Sequence, residues 1–290
     1  MSTAILAAYI DTLTVWYPPK DVLDSVRNNL GEFNHLILAF WLPNGATDVA
    51  QAWSNGTFPQ DAAEKLHDAG TKVLVSAGGA TLEPITAWLT GSGSDGATFG
   101  RAVAAFAQNN DLDGIDFDLE DPAYQSNPEK AIEWTVAATQ AAKEAFPGAI
   151  ISHAPQAPYF DPVFGNGPYL SIDQQVGDLI DFYNIQFYNQ QTTSYDSFDT
   201  LFIQANGWSP DSAVQQIHEA GIPYERIVVG KPLLTSDATN TGWVSAPNLA
   251  QWLSQARAQG ITPAGVMTWQ FHSDQCSAEW SRTVAAGLQS

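Results

Sequence analysis

Short apolar runs recur along the chain, and a stretch with helical periodicity follows each of them. The runs are ILAAYI (5–10), HLILAF (35–40), KVLVSA (72–77), GIDFDL (114–119), AIISHA (149–154), FYNIQF (182–187), RIVVGK (226–231) and GVMTWQ (265–270). Runs of this length, separated by helices, are typical of strands in a parallel sheet. Eight repeats in 290 residues predict a single α/β domain over residues 1–290, a (β/α)₈ or TIM barrel.

Proline and glycine mark the expected ends of several helices. They predict helices over residues 127–146, 209–221 and 246–260. The main alternative fold is an open doubly wound sheet, which would carry a glycine-rich phosphate turn after its first strand. That position holds the sequence DTLT (11–14), so the barrel is favoured.

The balance of charges excludes one class of partner. The chain has 31 acidic and 11 basic residues, which gives a net charge of −20. A surface this acidic does not hold the phosphates of nucleic acid, and it also disfavours other anionic polymers. Hydrophobic residues make up 44% of the chain and charged residues 14%, which predicts a large buried core rather than disorder.

Several other kinds of site are also not expected. The single cysteine, Cys276, excludes an internal disulfide framework, and the five histidines match no metal-binding spacing. We therefore expect no metal and no cofactor. No run approaches the roughly 18 apolar residues that span a bilayer, so we expect no membrane partner. The N-terminal run lacks a basic region and is interpreted as a strand rather than a signal peptide. The compartment is left open, and a monomer is expected.

The fourth run carries acidic residues where a barrel strand should be apolar. Side chains alternate across a strand, so Asp116, Asp118 and Glu120 point to one face, while Ile115 and Phe117 point to the other. Helices cover the outside of a parallel barrel and side chains fill its inside. The three carboxyls would therefore lie along the barrel axis, with Glu120 near the C-terminal mouth. Carboxyls there must share protons, accept hydrogen bonds or serve chemistry.

Strand geometry limits which chemistry such a row can serve. Residues two apart lie about 6.6 Å apart along a strand, so the row spans about 13 Å, too far for one metal ion. A two-carboxylate retaining glycosidase needs its acid and nucleophile on opposite sides of the sugar, whereas these carboxyls lie on one side. The remaining use is a single acid, Glu120, which keeps its proton because like charges lie close by. The substrate itself would then supply the nucleophile.

The segment DGIDFDLE (113–120) matches D-G-x-D-x-D-x-E, the signature of the family 18 glycoside hydrolases. This family includes chitinases and endo-β-N-acetylglucosaminidases. Four further segments resemble family motifs in the right order. They are SAGG (76–79), APQAP (154–158), QFYN (186–189) and GVMTW (265–269). The chain therefore resembles family 18, and within it the class III-type chitinases.

The resemblance implies roles for five residues. Glu120 would protonate the glycosidic oxygen, and Asp118 would accept the N–H of the substrate's acetamido group, whose carbonyl oxygen attacks the anomeric carbon. Asp116 would share a proton with Asp118. Tyr188 would donate to the acetamido oxygen, and Trp269 would form the apolar floor under the −1 sugar. The outcome would be hydrolysis of β-1,4 bonds between N-acetylglucosamine units with retention, the substrate-assisted exception to the two-carboxylate rule.

Five more residues are candidates for contact with the glycan. Gln186 is expected to point into the barrel beside Tyr188. Tyr9, Trp41, Trp243 and Tyr159 lie in or after strands at the expected catalytic end, where aromatic faces can stack on sugars. The resemblance also implies cis peptide bonds at 39–40 and 269–270.

The sequence leaves three functions open. The first is a chitinase that acts on chitin or chitooligosaccharides, and the second is an endo-β-N-acetylglucosaminidase that cuts the chitobiose core of N-glycans. The third is an inactive lectin that binds chitin or another glycan. A lectin is expected to lose the acid or the acetamido partner, and this chain retains Asp116, Asp118, Glu120 and Tyr188.

Overall fold

A computed structural model of the protein describes residues 4–13, 18–272 and 276–289. The strands are β1 (Ile5–Ile10), β2 (His35–Trp41), β3 (Lys72–Gly78), β4 (Gly114–Asp118), β5 (Ile150–His153), β6 (Phe182–Gln186), β7 (Ile227–Pro232) and β8 (Gly265–Trp269). The α-helices are α1 (Pro19–Asn28), α2 (Asp48–Ser54), α3 (Ala62–Asp68), α4 (Pro84–Leu89), α5 (Gly96–Asn109), α6 (Ala123–Ser126), α7 (Pro128–Ala145), α8 (Pro168–Val176), α9 (Val214–Glu219), α10 (Ala246–Ala258) and α11 (Ser277–Gln289). A π-helical turn spans Asp199–Ile203.

The strands form one closed barrel in the order β1 to β8, with parallel pairing throughout. The predicted (β/α)₈ barrel is confirmed, and each strand begins within one residue of its predicted start. Parallel strands need crossover connections, which the helices between them supply. All carboxyl ends of the strands therefore meet at one end of the barrel.

Apolar side chains form two layers, one on each side of the sheet. The outer layer packs the strands against the helices, and Ile115, Phe117 and Leu119 of the β4 segment belong to it. A smaller inner cluster fills the barrel and contains Ala7, Ile37, Leu74, Val228 and Met267, among others. The alternation inferred for β4 is thus observed, because its apolar residues all face the helices.

One predicted helix is shorter than expected. The sequence predicts a helix over 209–221, but α9 begins only at Val214. The preceding residues bind a buried carboxylate instead: the Ser209 hydroxyl and the Asp211 N–H each donate to Asp161 at 2.9 Å. Hydrogen bonds to Asp161 therefore replace the first turn of this helix.

Two further helices and two peptide bonds agree with the predictions. The helices predicted over 127–146 and 246–260 correspond to α7 and α10. The peptide bonds Ala39–Phe40 and Trp269–Gln270 are both cis, as predicted. Within the described ranges, no helix is long and apolar enough to cross a membrane.

The contact between β1 and β8 closes the barrel and leaves no room for a side chain at residue 265. Gly265 pairs with Ile5, and a Cβ atom built on Gly265 would lie 1.8 Å from the carbonyl oxygen of Ile5. Only a residue without Cβ allows these two strands to approach closely enough to hydrogen bond.

We predict that Gly265→Ala lowers the free energy of unfolding by about 1–3 kcal/mol or more, because the added methyl group must push β8 away from β1. The measurement is the urea unfolding midpoint. Gly148→Ala is the matched control, because its Cβ would meet only one atom, the Cε2 of Phe146 at 4.0 Å. Equal midpoints for the two variants would contradict this explanation of barrel closure.

Candidate functional site

Two cavities lie at the two ends of the barrel, and their lining residues distinguish them. One, of about 520 Å³, opens at the carboxyl ends of the strands and is lined by Asp118 and Glu120. The other, of about 940 Å³, lies at the opposite end, where Ile5, Asn34 and Ala264 line it. Functional sites of such barrels are built from the loops after the strands, whereas the opposite face contributes to stability. The first cavity, although smaller, is therefore the candidate site.

Asp116 lies at the base of the acidic row, where four polar side chains bind its carboxyl. The Tyr9 hydroxyl donates to Oδ2 at 2.7 Å and the Ser76 hydroxyl to the same oxygen at 2.9 Å. Ser152 donates to Oδ1 at 2.6 Å, and the Asn184 amide reaches that oxygen at 3.3 Å. These donors come from β1, β3, β5 and β6, so the carboxyl of Asp116 lies inside the barrel, as predicted.

Strand register explains why two serines flank Asp116. Ser76 of β3 and Ser152 of β5 are the residues paired with Asp116 on either side. Paired residues on neighbouring strands project to the same face of the sheet, so both hydroxyls can reach the carboxyl. Burial nevertheless dominates over these hydrogen bonds, and it raises the pKa of Asp116 to about 6.

Asp118 and Glu120 lie above Asp116, and one amide group connects them. Nε2 of Gln186 donates to Asp118 at 3.0 Å and reaches Glu120 at 3.5 Å. Nε2 of Gln156 donates to the other oxygen of Glu120 at 2.6 Å. The two carboxyls therefore lie side by side on the wall of the cavity, in agreement with the expected direction of the row.

Burial and like charges favour the protonated forms of both groups. Burial raises the pKa of Asp118 well above its usual value, and the carboxyls of Glu120 and Asp116 raise it further. Burial also raises the pKa of Glu120, while the amides of Gln156 and Gln186 oppose this effect. The site can therefore keep a transferable proton at a pH where an exposed carboxyl would have lost it.

Asp116 and Asp118 were predicted to share a proton, but among the described residues no direct hydrogen bond joins them. Across the described ranges, Asp116 binds only the four donors from neighbouring strands, and Asp118 binds Gln186. The two aspartates therefore interact through charge, because Asp116 raises the pKa of Asp118.

Close backbone packing fixes the position of Asp118. A Cβ atom on Gly78 would lie 2.0 Å from the carbonyl oxygen of Asp118, and φ of Gly78 is +122°. The N–H of Gly79 donates to the same carbonyl at 2.8 Å. The SAGG segment thus holds the end of β4 against β3, a structural role that only glycine at position 78 permits.

A tyrosine and a tryptophan complete the wall of the cavity. Burial and the charges of Asp118 and Glu120 raise the pKa of Tyr188, so its hydroxyl remains a donor, and among the described residues it has no hydrogen-bond partner. Trp269 also lines the cavity. Its ring stacks near Phe40 with centroids 6.0 Å apart and lies 6.0 Å from the ring of Tyr9. These contacts hold a flat apolar face beside the two acids.

Comparison with known proteins agrees with this geometry. The sequence profile of the glycosyl hydrolases family 18 matches residues 6–286. The chain belongs to this family. It is a glycoside hydrolase, although no curated protein sequence matches it.

Solved structures of several chitinases share the fold. A GH18 chitinase from Pseudoalteromonas aurantia superposes with a TM-score of 0.77 at 24% identity, covering 98% of this chain and 100% of that one. A GH18 chitinase from Chromobacterium violaceum gives 0.69 at 21% identity, with coverage of 100% and 84%. A chitinase from Aspergillus fumigatus gives 0.64 at 22% identity, with coverage of 92% and 91%.

The structure places the remaining site candidates of this family 18 hydrolase in different surroundings. Gln186 and Tyr9 line the cavity, as expected. Trp243 is 40% exposed in the loop after β7, where its indole N–H donates to Leu233 at 3.2 Å. It is not among the residues that line the cavity, so its predicted glycan contact stays a prediction.

Two of the aromatic candidates lie away from the cavity. Trp41 packs edge-on against Phe99 at 5.1 Å in the outer core, because the register shifts between Leu38 and Trp41 and directs Phe40 into the cavity instead. Tyr159 is buried in a 3₁₀ turn, with its ring 4.8 Å from Phe164. Neither residue lines the cavity.

Sequence reasoning gave no role to several residues that the structure brings to the site of this hydrolase. Gln156 follows β5 in the APQAP segment and binds Glu120. Asp11 directly follows β1 and lines the cavity, and burial, with a smaller effect of Asp48, raises its pKa to about 6. Asp237 also lines the cavity and binds His272 at 3.1 Å. Position just after a barrel strand was the available signal for Gln156 and Asp11.

The hydrogen bond from Gln156 generates a testable prediction about pH. It stabilises the ionised form of Glu120, so Gln156→Leu should raise the pKa of Glu120 further and keep this group protonated to higher pH. We predict that the alkaline limb of the hydrolase's kcat/KM profile moves to higher pH. Gln175→Leu, at an exposed amide on α8, is the control and should leave the profile unchanged. A shift to lower pH in Gln156→Leu would contradict the assignment.

Proposed function

We propose that the protein is a chitinase, a retaining hydrolase of β-1,4 bonds between N-acetylglucosamine units that uses the substrate's own acetamido group. The observation that carries this proposal is the adjacency of Asp118 and Glu120 on one strand face, connected by the amide of Gln186. A carboxylate on the same side as the acid cannot attack the anomeric carbon from behind, whereas an acetamido oxygen of the sugar can.

In this mechanism Glu120 donates its proton to the glycosidic oxygen as the bond to the anomeric carbon breaks. The acetamido carbonyl oxygen attacks that carbon and forms an oxazolinium ion. Asp118 accepts the acetamido N–H, and its negative charge stabilises the cation. Water then attacks the anomeric carbon from the face that the leaving group occupied, and the bond from the acetamido oxygen to that carbon breaks, which restores the acetamido group. The Glu120 carboxylate takes the proton of this water, and the configuration is retained.

Tyr188 and Trp269 orient the sugar in this proposal. The Tyr188 hydroxyl has no hydrogen-bond partner among the described residues, and it can donate to the acetamido oxygen. The ring of Trp269, which contacts the rings of Tyr9 and Phe40, can lie beneath the sugar. Asp116 remains below the substrate and influences catalysis through the pKa of Asp118.

The charges that line the cavity support a glycan without acidic groups. Among the described residues that line the cavity, five are carboxylic acids, namely Asp11, Asp48, Asp118, Glu120 and Asp237, and none is lysine or arginine. An anionic sugar would find no counter-charge there, whereas chitin is neutral. One structural neighbour, a GH18 chitinase mutant from Cycas revoluta, was solved in complex with (GlcNAc)4 at a TM-score of 0.66 and 17% identity.

We predict that Glu120→Gln reduces kcat on chitooligosaccharides by at least about 10²-fold, because no other group can protonate the leaving oxygen. Binding of the same oligosaccharide, measured by titration calorimetry, should be largely retained. Glu144→Gln, at an exposed position near the end of α7, is the matched control and should keep full activity. If the native protein binds the oligosaccharide but does not cleave it, the protein is a lectin instead.

Substrate choice is tested with chitin oligomers and a high-mannose glycopeptide side by side, with products analysed by mass spectrometry. We predict that the chitin oligomers are cleaved and the glycopeptide is not. Release of the mannose-rich glycan without cleavage of chitin oligomers would identify an endo-β-N-acetylglucosaminidase, which uses the same catalytic groups. Cleavage of neither substrate would contradict both forms of the proposal.

A further inference from the structure

A lysine is completely buried next to the site, and the proposed mechanism does not use it. Lys231 lies near the end of β7, and 0% of it is exposed. Ile227 and Val229, on the same face of β7, belong to the outer core, so Lys231 points away from the barrel axis. It does not line the cavity and cannot touch the substrate.

All three protons of the Lys231 ammonium group bind backbone oxygens. Nζ donates to Tyr195 at 2.7 Å, to Phe187 at 2.8 Å and to Gly242 at 2.9 Å. In the described part of the chain, no carboxylate forms an ion pair with it. Burial lowers the pKa of Lys231 well below its usual value. An unpaired buried cation is costly, so an apolar residue would serve better if packing were its only purpose.

The three carbonyls belong to two loops that meet at Tyr188. Phe187 and Tyr195 lie in the loop after β6, and Gly242 lies in the loop after β7. A Cβ atom on Gly242 would lie 2.4 Å from Cα and 2.7 Å from Cβ of Tyr188, so its backbone packs directly behind the tyrosine. The N–H of Asn189 also donates to Thr241 at 2.8 Å. The placement of Tyr188 thus depends on how these two loops are held together.

We propose that Lys231 is a positioning residue that binds both loops and thereby fixes the Tyr188 hydroxyl where it can donate to the reacting acetamido oxygen. This inference rests on the role of Tyr188 in the proposed function. Each proton of the ammonium group has a role in this proposal, because each binds a carbonyl in, or next to, the segment that surrounds Tyr188.

The test is a double-mutant cycle of Lys231→Met and Tyr188→Phe, with kcat and KM measured on a chitin oligomer. Methionine keeps the approximate length of the side chain but donates nothing. We expect Lys231→Met to lower kcat by about tenfold or more with little change in KM, the pattern of an interaction made mainly in the transition state. In the Tyr188→Phe background the same change should lower kcat by less than about twofold, because the hydroxyl it positions is already absent.

Val229→Ala is the matched control, since it removes a buried side chain from the same face of the same strand. It should destabilise the fold yet leave kcat nearly unchanged in both backgrounds. If Lys231→Met does not fold, Lys231→Gln replaces it, because its amide retains two donors and should give an intermediate loss. An equal loss of kcat with and without the Tyr188 hydroxyl, or an equal loss in Val229→Ala, would overturn the proposal.

A second readout does not depend on turnover. Fluorotyrosine at position 188 should give one sharp ¹⁹F resonance in the native protein, and Lys231→Met should broaden or split it while Val229→Ala does not. An unchanged resonance in Lys231→Met would also overturn the inference. If the native protein cleaves no N-acetylglucosamine substrate, the proposed function fails, and the ¹⁹F spectra still decide whether Lys231 positions Tyr188.

Discussion

The free-energy cost of burying carboxyl groups inside a closed barrel is the constraint on which the rest of this structure depends. Asp116 is completely buried, and hydrogen-bond donors from four different strands offset part of the free-energy cost of burying its carboxyl. Those donors can converge only because the strands are parallel, staggered and closed into a ring. Burial still dominates and raises the pKa of Asp116 to about 6. A barrel selected for stability alone would carry an apolar residue there, so the acidic row is best explained by its use in chemistry.

The residues of the site differ in function with their depth: the deepest support the structure, and those on the cavity wall can take part in chemistry. Asp116 is bound by three hydroxyls and the amide of Asn184 and does not line the cavity, whereas Asp118 and Glu120 lie on the wall and accept side-chain hydrogen bonds from the amides of Gln156 and Gln186. Amides from Gln156 and Gln186 can donate to an ionised carboxyl and tolerate a protonated one, so neither protonation state is locked. Outside this layer, Lys231 and the backbone of Gly242 lie behind Tyr188. Hydrogen bonds from Lys231 to main-chain carbonyls thus surround one of the residues that line the cavity, Tyr188.

Much of this arrangement could be predicted from the sequence, because alternation along a strand is a local property. The eight strands and the inward direction of Asp116, Asp118 and Glu120 follow from period and order, whereas Tyr188 and Trp269 were expected at the site only because the chain resembles family 18. Trp41 was expected at the rim from its position after β2, but a register shift there directs it into the outer core, and a 3₁₀ turn directs Tyr159 into the core. The partners Gln156 and Lys231 were missed because their contacts join distant strands and loops, and no local pattern records such contacts.

The acetamido group of the substrate is the proposed nucleophile, and partly deacetylated chitin tests this most directly. After digestion, each new reducing end identifies the sugar that occupied the position next to the broken bond, and mass spectrometric sequencing shows whether it carries the acetyl group. Substrate-assisted cleavage predicts that every new reducing end is N-acetylglucosamine, because a glucosamine unit has no carbonyl oxygen to attack its anomeric carbon. Glucosamine at a substantial fraction of new reducing ends would contradict the mechanism, since a protein group or water would then have to supply the nucleophile.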